Sequence, residues 1–330
     1  MRCDTIKFKK APKIVGSFSI VGPKEGEGNF KDYFDYIMKN DLFGEKTFEM
    51  AERKMVETAI TGAIQNAKLN VKDIDILVAG DLLNQIISSS YAARAFNFPY
   101  LGVYGACSTM AESMAVGAIL VDGGYFKNVA CCTASHFSTA ERQYRFPLEL
   151  GNQRPPVSQW TVTGAGSCVI SCEGEGPRIT MATFGKVIDW GIVDVNNMGA
   201  AMAPSCASTL LAHFENTKTS PDDYDLIATG DLGKLGSEIL IDLMEDKGIK
   251  LGLNYCDCGQ MYYKRNQNTL CGGSGCGCSA TVFNSYIMKK LKSGKLKKVL
   301  FMPTGALLST TATQQGESIP GVCHAIVCES

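Results

Sequence analysis

Apolar and polar residues alternate along this chain in blocks that predict short strands separated by helices. Residues 47–67 place apolar side chains near helical spacing, which predicts an amphipathic helix. The polar, proline-containing stretch 136–160 predicts a loop with a short helical part. Strands that alternate with helices predict an α/β architecture. Short apolar runs bounded by turn residues predict buried strands at residues 13–22, 75–80, 98–105, 128–135 and 163–172.

The second half of the chain repeats the motifs of the first half in the same order. Residues 73–82 read DIDILVAGDL and residues 223–232 read DYDLIATGDL. The identical pairs at this offset are Asp73 and Asp223, Asp75 and Asp225, Gly80 and Gly230, Asp81 and Asp231, and Leu82 and Leu232. Two further matches follow, 105–130 with 275–300 and 169–173 with 325–329. A period this long predicts domain duplication rather than a repeat array.

The repeat divides the chain near the segment GEGPR at residues 174–178. We expect residues 1–175 to form an N-terminal half and residues 176–330 to form a C-terminal half. A duplicated unit usually places its functional site on the pseudo-symmetry axis between the copies. The two halves should superpose, with sheet cores built from strands near 75–80 and 128–135 in the first half and near 225–230 and 298–303 in the second.

Composition and charge exclude several classes of protein. Hydrophobic residues make up 45% of the chain and charged residues 20%, as is ordinary for a soluble globular protein. The formal net charge of −1 gives no global field that would favour nucleic acid. No apolar run approaches the ~20 residues that span a bilayer, and the N-terminal MRCDTIKFKK lacks the apolar stretch of a signal peptide. The sequence therefore predicts synthesis in the cytoplasm.

The placement of the 14 cysteines argues against a disulfide framework. A chain without an export signal keeps its thiols reduced. Five cysteines cluster within residues 256–278, but their C-x-C spacing differs from the C-x₂-C pairs of structural zinc sites. A metal site is therefore the less favoured alternative, and we expect no resident cofactor. Others lie in apolar strand-like runs, where cysteine acts as a small hydrophobe, namely Cys131, Cys132, Cys168, Cys172 and Cys328.

Cys107 has a catalytic or ligand-binding signature of its own. It lies in the sequence GACST, where a predicted strand gives way to a helix. Unpaired N–H groups and the helix dipole at such a position favour a thiolate, which predicts a lowered pKa for the thiol. The same N–H groups can bind a carboxylate ligand. The alternative is a small buried residue at a tight turn.

A nucleophilic thiolate needs a base, and the chain has three histidines. His136 follows a predicted strand, and we expect it to line one cavity with Cys107 and Asp81, because ligands gather outside strand ends in open α/β sheets. His213 is predicted near the end of a helix and His324 within a strand, where structural roles are favoured. An enzyme built on Cys107 would therefore have few partners for its nucleophile.

The duplicated α/β unit with a cysteine at a helix start resembles the thiolase and ketoacyl-synthase superfamily. The resemblance implies a thiolase-like fold, in which two pseudo-symmetric βαβαβαββ halves form a layered αβαβα arrangement. Condensing enzymes of that group supply a His after the strand matching 225–230, and an Asn or second His from the Gly-rich turn before the last long helix. Here these segments read GDLGK (230–234) and CGGSGCGCSA (271–280), without His or Asn. The base and oxyanion donors of condensation are therefore missing.

Longer stretches resemble one branch of that group, the stage V sporulation protein AD family of spore-forming bacteria. They cover nearly all of the chain and read AGDLLNQ (79–85), GACST (105–109), VDGG (121–124), TAERQYRFPLELGNQRP (139–155), VTGAG (162–166), MGAAMAP (198–204), DDYDLIATGDLG (222–233), GGSGCGCSA (272–280) and TGALLS (304–309). The resemblance implies binding of dipicolinic acid, with calcium as a companion ion, for uptake into the developing spore. It also implies membrane partners from the same operon and a peripheral position at the forespore or spore inner membrane. Relatives of the fold are commonly homodimers.

Dipicolinate is a flat pyridine dianion, so its site needs cations or N–H donors and a flat apolar wall. Backbone N–H groups near Cys107 supply one anion site, and His136, Arg142 and Arg145 can supply positive charge. The Asp81 carboxylate repels a dianion, so Asp81 can contact dipicolinate only if calcium bridges the two or if the Asp81 carboxyl group is protonated. The alternatives are helix N-caps for the aspartates and solvated loop charges for the arginines. The predicted ligand-binding set is Asp81, Asn84, Cys107, His136, Arg142, Asp231 and Gly275.

Two functional classes remain. The first is a non-catalytic ligand-binding protein on a condensing-enzyme fold, and the second is an acyltransferase or condensing enzyme that uses Cys107 as its nucleophile. The missing His and Asn favour binding. A structural scaffold for a membrane complex is a third alternative.

The sequence contains one basic run, which consists of Lys289, Lys290, Lys292, Lys295, Lys297 and Lys298. This run is either a solvated surface or a contact for an anionic membrane, where each lysine charge contributes ~1 kcal/mol of binding free energy.

Overall fold

The computed structural model describes residues 4–144 and 154–330. Elements of the first half are β1 (Thr5–Lys7), β2 (Lys13–Val21), β3 (Tyr36–Ile37), α1 (Phe48–Asn66), β4 (Ile76–Asp81), α2 (Ile87–Ala93), β5 (Tyr100–Gly102), α3 (Thr109–Asp122), β6 (Asn128–Ser135), α4 (Phe137–Tyr144), β7 (Trp160–Thr161) and β8 (Gly164–Ser171). Elements of the second half are β9 (Arg178–Thr183), α5 (Met198–Thr217), β10 (Leu226–Gly230), α6 (Gly233–Glu245), β11 (Tyr255–Asp257), α7 (Cys258–Tyr262), β12 (Gly273–Ser274), α8 (Cys276–Val282), α9 (Met288–Lys292), β13 (Lys298–Ala306), α10 (Thr310–Gln314), β14 (Gly321–Cys323) and β15 (Ala325–Glu329). A π-helical turn, Phe283–Ile287, joins α8 to α9.

Ten strands form one path in which the two halves mirror each other. The order is β11-β10-β13-β15-β9-β2-β8-β6-β4-β5. In the first half β4 pairs parallel with β5 and β6, while β6 with β8 and β8 with β2 are antiparallel. In the second half β10 pairs parallel with β11 and β13, while β13 with β15 and β15 with β9 are antiparallel. The halves join where Lys13 pairs with Arg178. The predicted duplication is confirmed in this topology.

Helices form three layers around the two groups of strands. α1 packs on β2, β6 and β8 at one outer face, and α5 packs on β9, β13 and β15 at the other. α3 and α8 lie between the groups, because α3 contacts β4 and β6 as well as β13 and β15, and α8 contacts β6 and β8 as well as β10. This is the layered αβαβα arrangement that the sequence resemblance implies. Within the described ranges, no helix is both long and apolar enough to cross a membrane.

The middle layer is buried on both sides, so its helices carry apolar residues all round. Met110 of α3 is fully buried, and so is Phe283 of the π-helical turn. The Phe283 ring lies against Phe301 of β13, with the ring centroids 4.5 Å apart. Glycine allows the close approach of sheet and helix, since a Cβ at Gly166 of β8 would lie 2.4 Å from the Ala280 carbonyl oxygen of α8.

Most of the predicted elements are confirmed, with small shifts at their ends. The predicted helix at 47–67 is α1, and its N-cap is Thr47, whose hydroxyl accepts a hydrogen bond from the Met50 N–H. The strand predicted at 98–105 is shorter in the structure, because β5 lies at the edge of the sheet and pairs with β4 over three positions. The stretch 136–160 contains α4 and β7, and its residues 145–153 lie outside the described part of the chain.

Besides the pairing of Lys13 with Arg178, two further strand pairings cross between the halves, and they were not predicted. β1 pairs antiparallel with β9, and β7 pairs parallel with β12. β1 and β7 have three and two residues, so neither offers the apolar run by which strands are recognised in a sequence. The division of the chain at residue 175 into separate domains stays a prediction.

Glu25 is a buried acid that connects the segment after β2 to both halves. Its carboxylate accepts hydrogen bonds from the Thr163 N–H at 3.1 Å and from the Tyr263 hydroxyl at 2.5 Å. Burial nevertheless raises the pKa of Glu25 to about 7, because desolvation disfavours the charged form more than these hydrogen bonds favour it.

Glu25→Gln should remove a pH dependence of folding stability. An acid whose pKa in the folded state exceeds its ordinary value of 4.5 weakens the native state as pH rises from 4.5 to about 7. Across that window we expect the wild type to lose about 3 kcal/mol of unfolding free energy relative to the variant. Urea unfolding of both proteins at a series of pH values measures this difference. A difference that stays constant with pH would contradict the raised pKa.

Phe283→Ala should lower the free energy of unfolding by about 3–5 kcal/mol, because it removes a fully buried ring and leaves a cavity in the middle layer. The control is Leu253→Ala, since Leu253 is 108% exposed and its truncation should change stability by less than about 0.5 kcal/mol. Urea unfolding at one pH compares the two variants. Similar losses in both would show that the middle layer is not the core of the fold.

Candidate functional site

A narrow cavity of about 40 Å³ lies where the two halves meet. Apolar side chains form most of its wall, and a thiol, two hydroxyls, a phenol and a carboxyl group interrupt it. Both halves contribute, so the cavity occupies the junction at which the duplicated sequence places a site. Its lining consists of Leu82, Ala106, Cys107, Ala140, Glu141, Tyr144, Thr161, Val195, Met198, Ser274, Gly275, Ala306 and Leu308.

A tight turn brings Cys107 to this junction. The chain leaves β5, turns at Ala106 with a φ of 49°, and begins α3 at Thr109. The Thr109 hydroxyl donates to the Ala106 carbonyl at 2.6 Å and holds the turn closed. The second half packs closely against this turn, since a Cβ at Gly305 of β13 would lie 2.0 Å from the Gly105 carbonyl oxygen. Only glycine permits this approach.

The Cys107 thiol faces residues of the second half. Its sulfur lies 3.7 Å from the Ser274 hydroxyl oxygen, and the N–H groups of Gly275 and of Cys107 itself favour its charged form. Burial nevertheless raises the pKa of the thiol well above its ordinary value of 9.0, and the charge of Asp231 raises it further. The lowered pKa expected from the sequence is therefore wrong, because desolvation outweighs the helix N-terminus.

Asp231 and Asp257 form a buried acidic pair near Cys107. Burial raises the pKa of Asp231 well above its ordinary value, and the charge of Asp257 raises it further. Within the described residues the Asp231 carboxyl oxygens make no hydrogen bond of ordinary geometry, although the side chains of Cys278 and Ser279 are close enough to favour its charge. Burial therefore favours the neutral form of the Asp231 carboxyl group. The Asp257 carboxylate instead accepts hydrogen bonds from the N–H groups of Leu232, Gly233 and Gln260.

Asp81 and Glu52 form a second buried acidic pair, within the first half. Asp81 ends β4, and its carboxylate accepts hydrogen bonds from the N–H groups of Leu83 at 2.9 Å and Ser89 at 2.7 Å. Glu52 of α1 accepts one from the Thr139 hydroxyl at 2.7 Å. Burial raises the pKa of Asp81 to about 6. Burial and then the charge of Asp81 raise the pKa of Glu52 well above its ordinary value. Asp81 thereby holds the segment that follows β4, while Glu52 binds α4.

Asp81 and His136 do not line the cavity, so the expected cavity shared with Cys107 is wrong. Successive side chains point to opposite sides of an extended chain, and Leu82 rather than Asp81 faces the cavity. His136 is turned towards the N-terminal segment, where its Nε2 lies 2.9 Å from the Asp41 carbonyl oxygen. Burial lowers the pKa of this imidazole. A ligand contact for either residue stays a prediction.

Two other predicted residues lie at the cavity or beside it. Gly275 lines it, and its φ of 101° suits glycine at the turn before α8. Asn84 lines an adjoining open groove of about 440 Å³. The groove and the cavity share Tyr144 and Leu308. Asn84 is therefore a neighbour of the cavity rather than part of its wall.

The arginines of the segment after β6 have different surroundings. Arg142 forms a salt bridge with Glu49 at 2.7 Å and is half-exposed, and Arg145 lies outside the described residues. Sequence reasoning did not single out Arg154, which pairs with Glu141 of the cavity wall at 2.6 Å. No motif or spacing signals this pair, because the two residues meet only through the tertiary placement of α4 beside β7.

The remaining histidines lie within the second half. His213 has its Nδ1 2.7 Å from the Thr183 hydroxyl and its Nε2 2.7 Å from the Tyr224 hydroxyl. Burial lowers the pKa of both His213 and His324 to about 4. The described lining of the cavity contains no imidazole. Over residues 4–144 and 154–330, no group of three or more His, Cys, Asp or Glu side chains is arranged to hold a metal ion.

Comparison with known proteins gives the family. The family model described as Stage V sporulation protein AD (SpoVAD) matches residues 2–329. Stage V sporulation protein AD of Bacillus subtilis (strain 168) is 47% identical over 308 residues, which cover 93% of this chain and 91% of that protein. The chain belongs to the Stage V sporulation protein AD family. It is therefore a sporulation protein, and the resemblance drawn from its sequence motifs is confirmed.

Solved structures share the fold of this SpoVAD family member along its whole length. A variant of OleA from Xanthomonas campestris has a TM-score of 0.67 at 12% identity, covering 100% of both chains. Cerulenin-bound OleA has a TM-score of 0.64 at 12% identity, again over 100% of both chains. 3-oxoacyl-[acyl-carrier-protein] synthase III from Aquifex aeolicus VF5 has a TM-score of 0.60 at 13% identity, covering 97% of this chain and 100% of that chain. These likenesses establish the thiolase-like fold.

Cys107 of this SpoVAD family member should react slowly with iodoacetamide at neutral pH. Only the thiolate is alkylated, and the raised pKa keeps the thiol protonated. Peptide mapping by mass spectrometry should show a Cys107 rate that still increases between about pH 8 and about pH 9.5. The partly exposed Cys271 is the accessible comparison. A Cys107 rate that is fast and already constant below about pH 8 would reveal a stabilised thiolate and contradict this account.

Proposed function

We propose that this protein binds dipicolinic acid, free or as its calcium chelate, for dipicolinate uptake into the developing spore, and that it does so without catalysis. Membership of a sporulation family supports the biological setting. The observation that carries the proposal is the cavity between the halves, where a few hydrogen-bond donors interrupt an apolar wall. Such a mixture is typical of a small-molecule site.

The chemistry of dipicolinate suits both parts of this wall. Its carboxylates need donors, and the N–H groups of Cys107 and Gly275 with the hydroxyls of Thr161 and Ser274 can provide them. Its flat pyridine ring needs apolar surface, which side chains such as Ala306 provide. The cavity is narrow, so the ligand also uses the adjoining groove.

The burial and protonation of the Cys107 thiol favour ligand binding over acyl transfer as the function. A buried, protonated Cys107 without an imidazole in the described lining is a poor nucleophile. One observation favours the alternative of an acyltransferase, namely the two N–H groups at the sulfur, where an oxyanion could be held. Intact-protein mass spectrometry after incubation with acyl-CoA distinguishes a binding protein from an acyltransferase. Covalent acylation of Cys107 followed by turnover would show that the protein is an acyltransferase.

The proposal includes a location and partners. The chain reaches the forespore or spore inner membrane through membrane proteins of the same operon, and relatives of the fold favour a homodimer. The basic run supports a surface contact, because Lys289, Lys295 and Lys297 are exposed. Calcium accompanies the ligand in its chelated form, and nucleic acid is not a partner of a chain with a net charge of −1.

Isothermal titration with dipicolinate, with and without calcium, tests the binding. The wild type should bind one ligand per chain, and Ala306→Phe should abolish binding because the new ring fills the cavity. Cys107→Ala should weaken binding by less than about tenfold, since the backbone N–H groups survive the change. The control is Ala95→Phe, because Ala95 is exposed and outside the cavity lining.

Two results would contradict the proposal. A wild type that binds dipicolinate neither with nor without calcium removes the proposed function altogether. Equal affinities for Ala306→Phe and Ala95→Phe, in proteins with the circular dichroism of the wild type, would place the ligand outside this cavity.

A further inference from the structure

A largely buried ion pair of the described residues lies at the wall of the cavity. Arg154 Nη2 lies 2.6 Å from Glu141 Oε1, and the two side chains are 19% and 8% exposed. Glu141 lines the cavity directly. A carboxylate ligand that enters the cavity would be repelled by the Glu141 carboxylate and attracted by the guanidinium behind it. The attraction of this wall for a carboxylate therefore includes a contribution that depends on which carboxylate Arg154 binds.

Arg154 is held in place independently of Glu141. Its Nη1 donates to the Gln159 carbonyl at 3.1 Å. Its guanidinium carbon lies 4.7 Å from the Trp160 ring centroid and 5.0 Å from that of Phe137, and these two rings are stacked at 3.9 Å. Aromatic contacts fix the plane of a guanidinium and leave its charge unneutralised. The group is therefore oriented in advance for a carboxylate.

The element that positions Arg154 also builds the cavity wall. Trp160 and Thr161 form β7, which pairs with Gly273 and Ser274 of β12. Thr161 and Ser274 both line the cavity and carry hydroxyl donors. The guanidinium that contacts Trp160 therefore lies against the strand that carries the Thr161 hydroxyl, and it reaches the cavity lining through Glu141.

Other cations near this wall are engaged elsewhere. Lys24 also lies over the Trp160 ring, at 3.8 Å, but its Nζ donates to the Gln267 carbonyl at 2.9 Å. Burial lowers the pKa of Lys24. Arg142 pairs with Glu49 at the surface. In the described part of the chain, Arg154 is the cation paired with a side chain of the cavity lining.

We propose that Arg154 is the specificity-determining cation of this site, which leaves Glu141 and binds one carboxylate of an aromatic dicarboxylate ligand. The N–H groups of Cys107 and Gly275 hold the other carboxylate. The inference rests on the proposed function and adds to it the group that selects a dicarboxylate over a monocarboxylate. Arginine suits this role because its planar fork binds a carboxylate through two parallel hydrogen bonds.

Isothermal titration with dipicolinate and with picolinate, its monocarboxylate analogue, tests the inference. Arg154→Met should weaken dipicolinate binding by about tenfold or more and picolinate binding much less, so the preference for the dicarboxylate collapses. Glu141→Gln should tighten dipicolinate binding severalfold, because the competing carboxylate is gone. The matched control is Arg53→Met, which removes an arginine paired with Glu57 on α1, outside the cavity lining.

These titrations distinguish a failure of the role proposed for Arg154 from a failure of the proposed dipicolinate binding. If the wild type binds no dipicolinate, the function and the inference fall together. If the wild type binds but Arg154→Met leaves both affinities unchanged, the role of Arg154 is wrong and the function stands. If Arg154→Met does not fold, Glu141→Gln decides alone, and weaker dipicolinate binding by that variant overturns the inference.

Discussion

The burial of α3 and α8 between the two groups of strands is the constraint on which the rest of the structure depends. Because both helices are enclosed on two sides, the turns that precede them must meet at one junction. There the Cys276 thiol donates to the Ala106 carbonyl at 3.0 Å, and the Thr133 hydroxyl donates to the Cys276 carbonyl at 3.3 Å. A Cβ at Gly277 would lie 2.4 Å from the Gly164 carbonyl oxygen. Close packing thus surrounds the cavity and fixes its place.

The same burial sets the electrostatics of the site. Desolvation raises the pKa of Cys107 and of Asp231, which favours the neutral forms of the thiol and the carboxyl group over a charged nucleophile. In such surroundings a charge persists only when it is paired, as it is for Arg154 and Glu141. In the described part of the site, neutral donors in the cavity wall and the Arg154 guanidinium beside Glu141 favour an anionic ligand over covalent chemistry.

The sequence predicted the features that depend on neighbouring residues. The duplicated motifs and the apolar runs located the strands, and the glycine-rich turns before two helices located Cys107 and Gly275 at the junction. Predictions of features that depend on tertiary packing were wrong, and other such features were not predicted at all. Which side of β4 faces the cavity decides between Asp81 and Leu82, and the local sequence does not show it. The pKa of Cys107 depends on burial by the other half.

The pairing of Arg154 with Glu141 could not be predicted from the sequence, because it too depends on tertiary packing. The two residues are distant in the sequence, and their contact follows from the placement of α4 beside β7. Neither residue belongs to a spacing that marks a known ligand set. Only the fold shows that the charged side chain of Arg154 reaches Glu141 of the cavity wall.

A crystal structure of the protein grown with dipicolinate tests the central claim most directly. The account predicts the pyridine ring in the cavity between the halves, with one carboxylate at the N–H groups of Cys107 and Gly275 and the other on Arg154. Density for the ligand beside Asp81 and His136 on the far side of β4, or at any surface away from this junction, would contradict it.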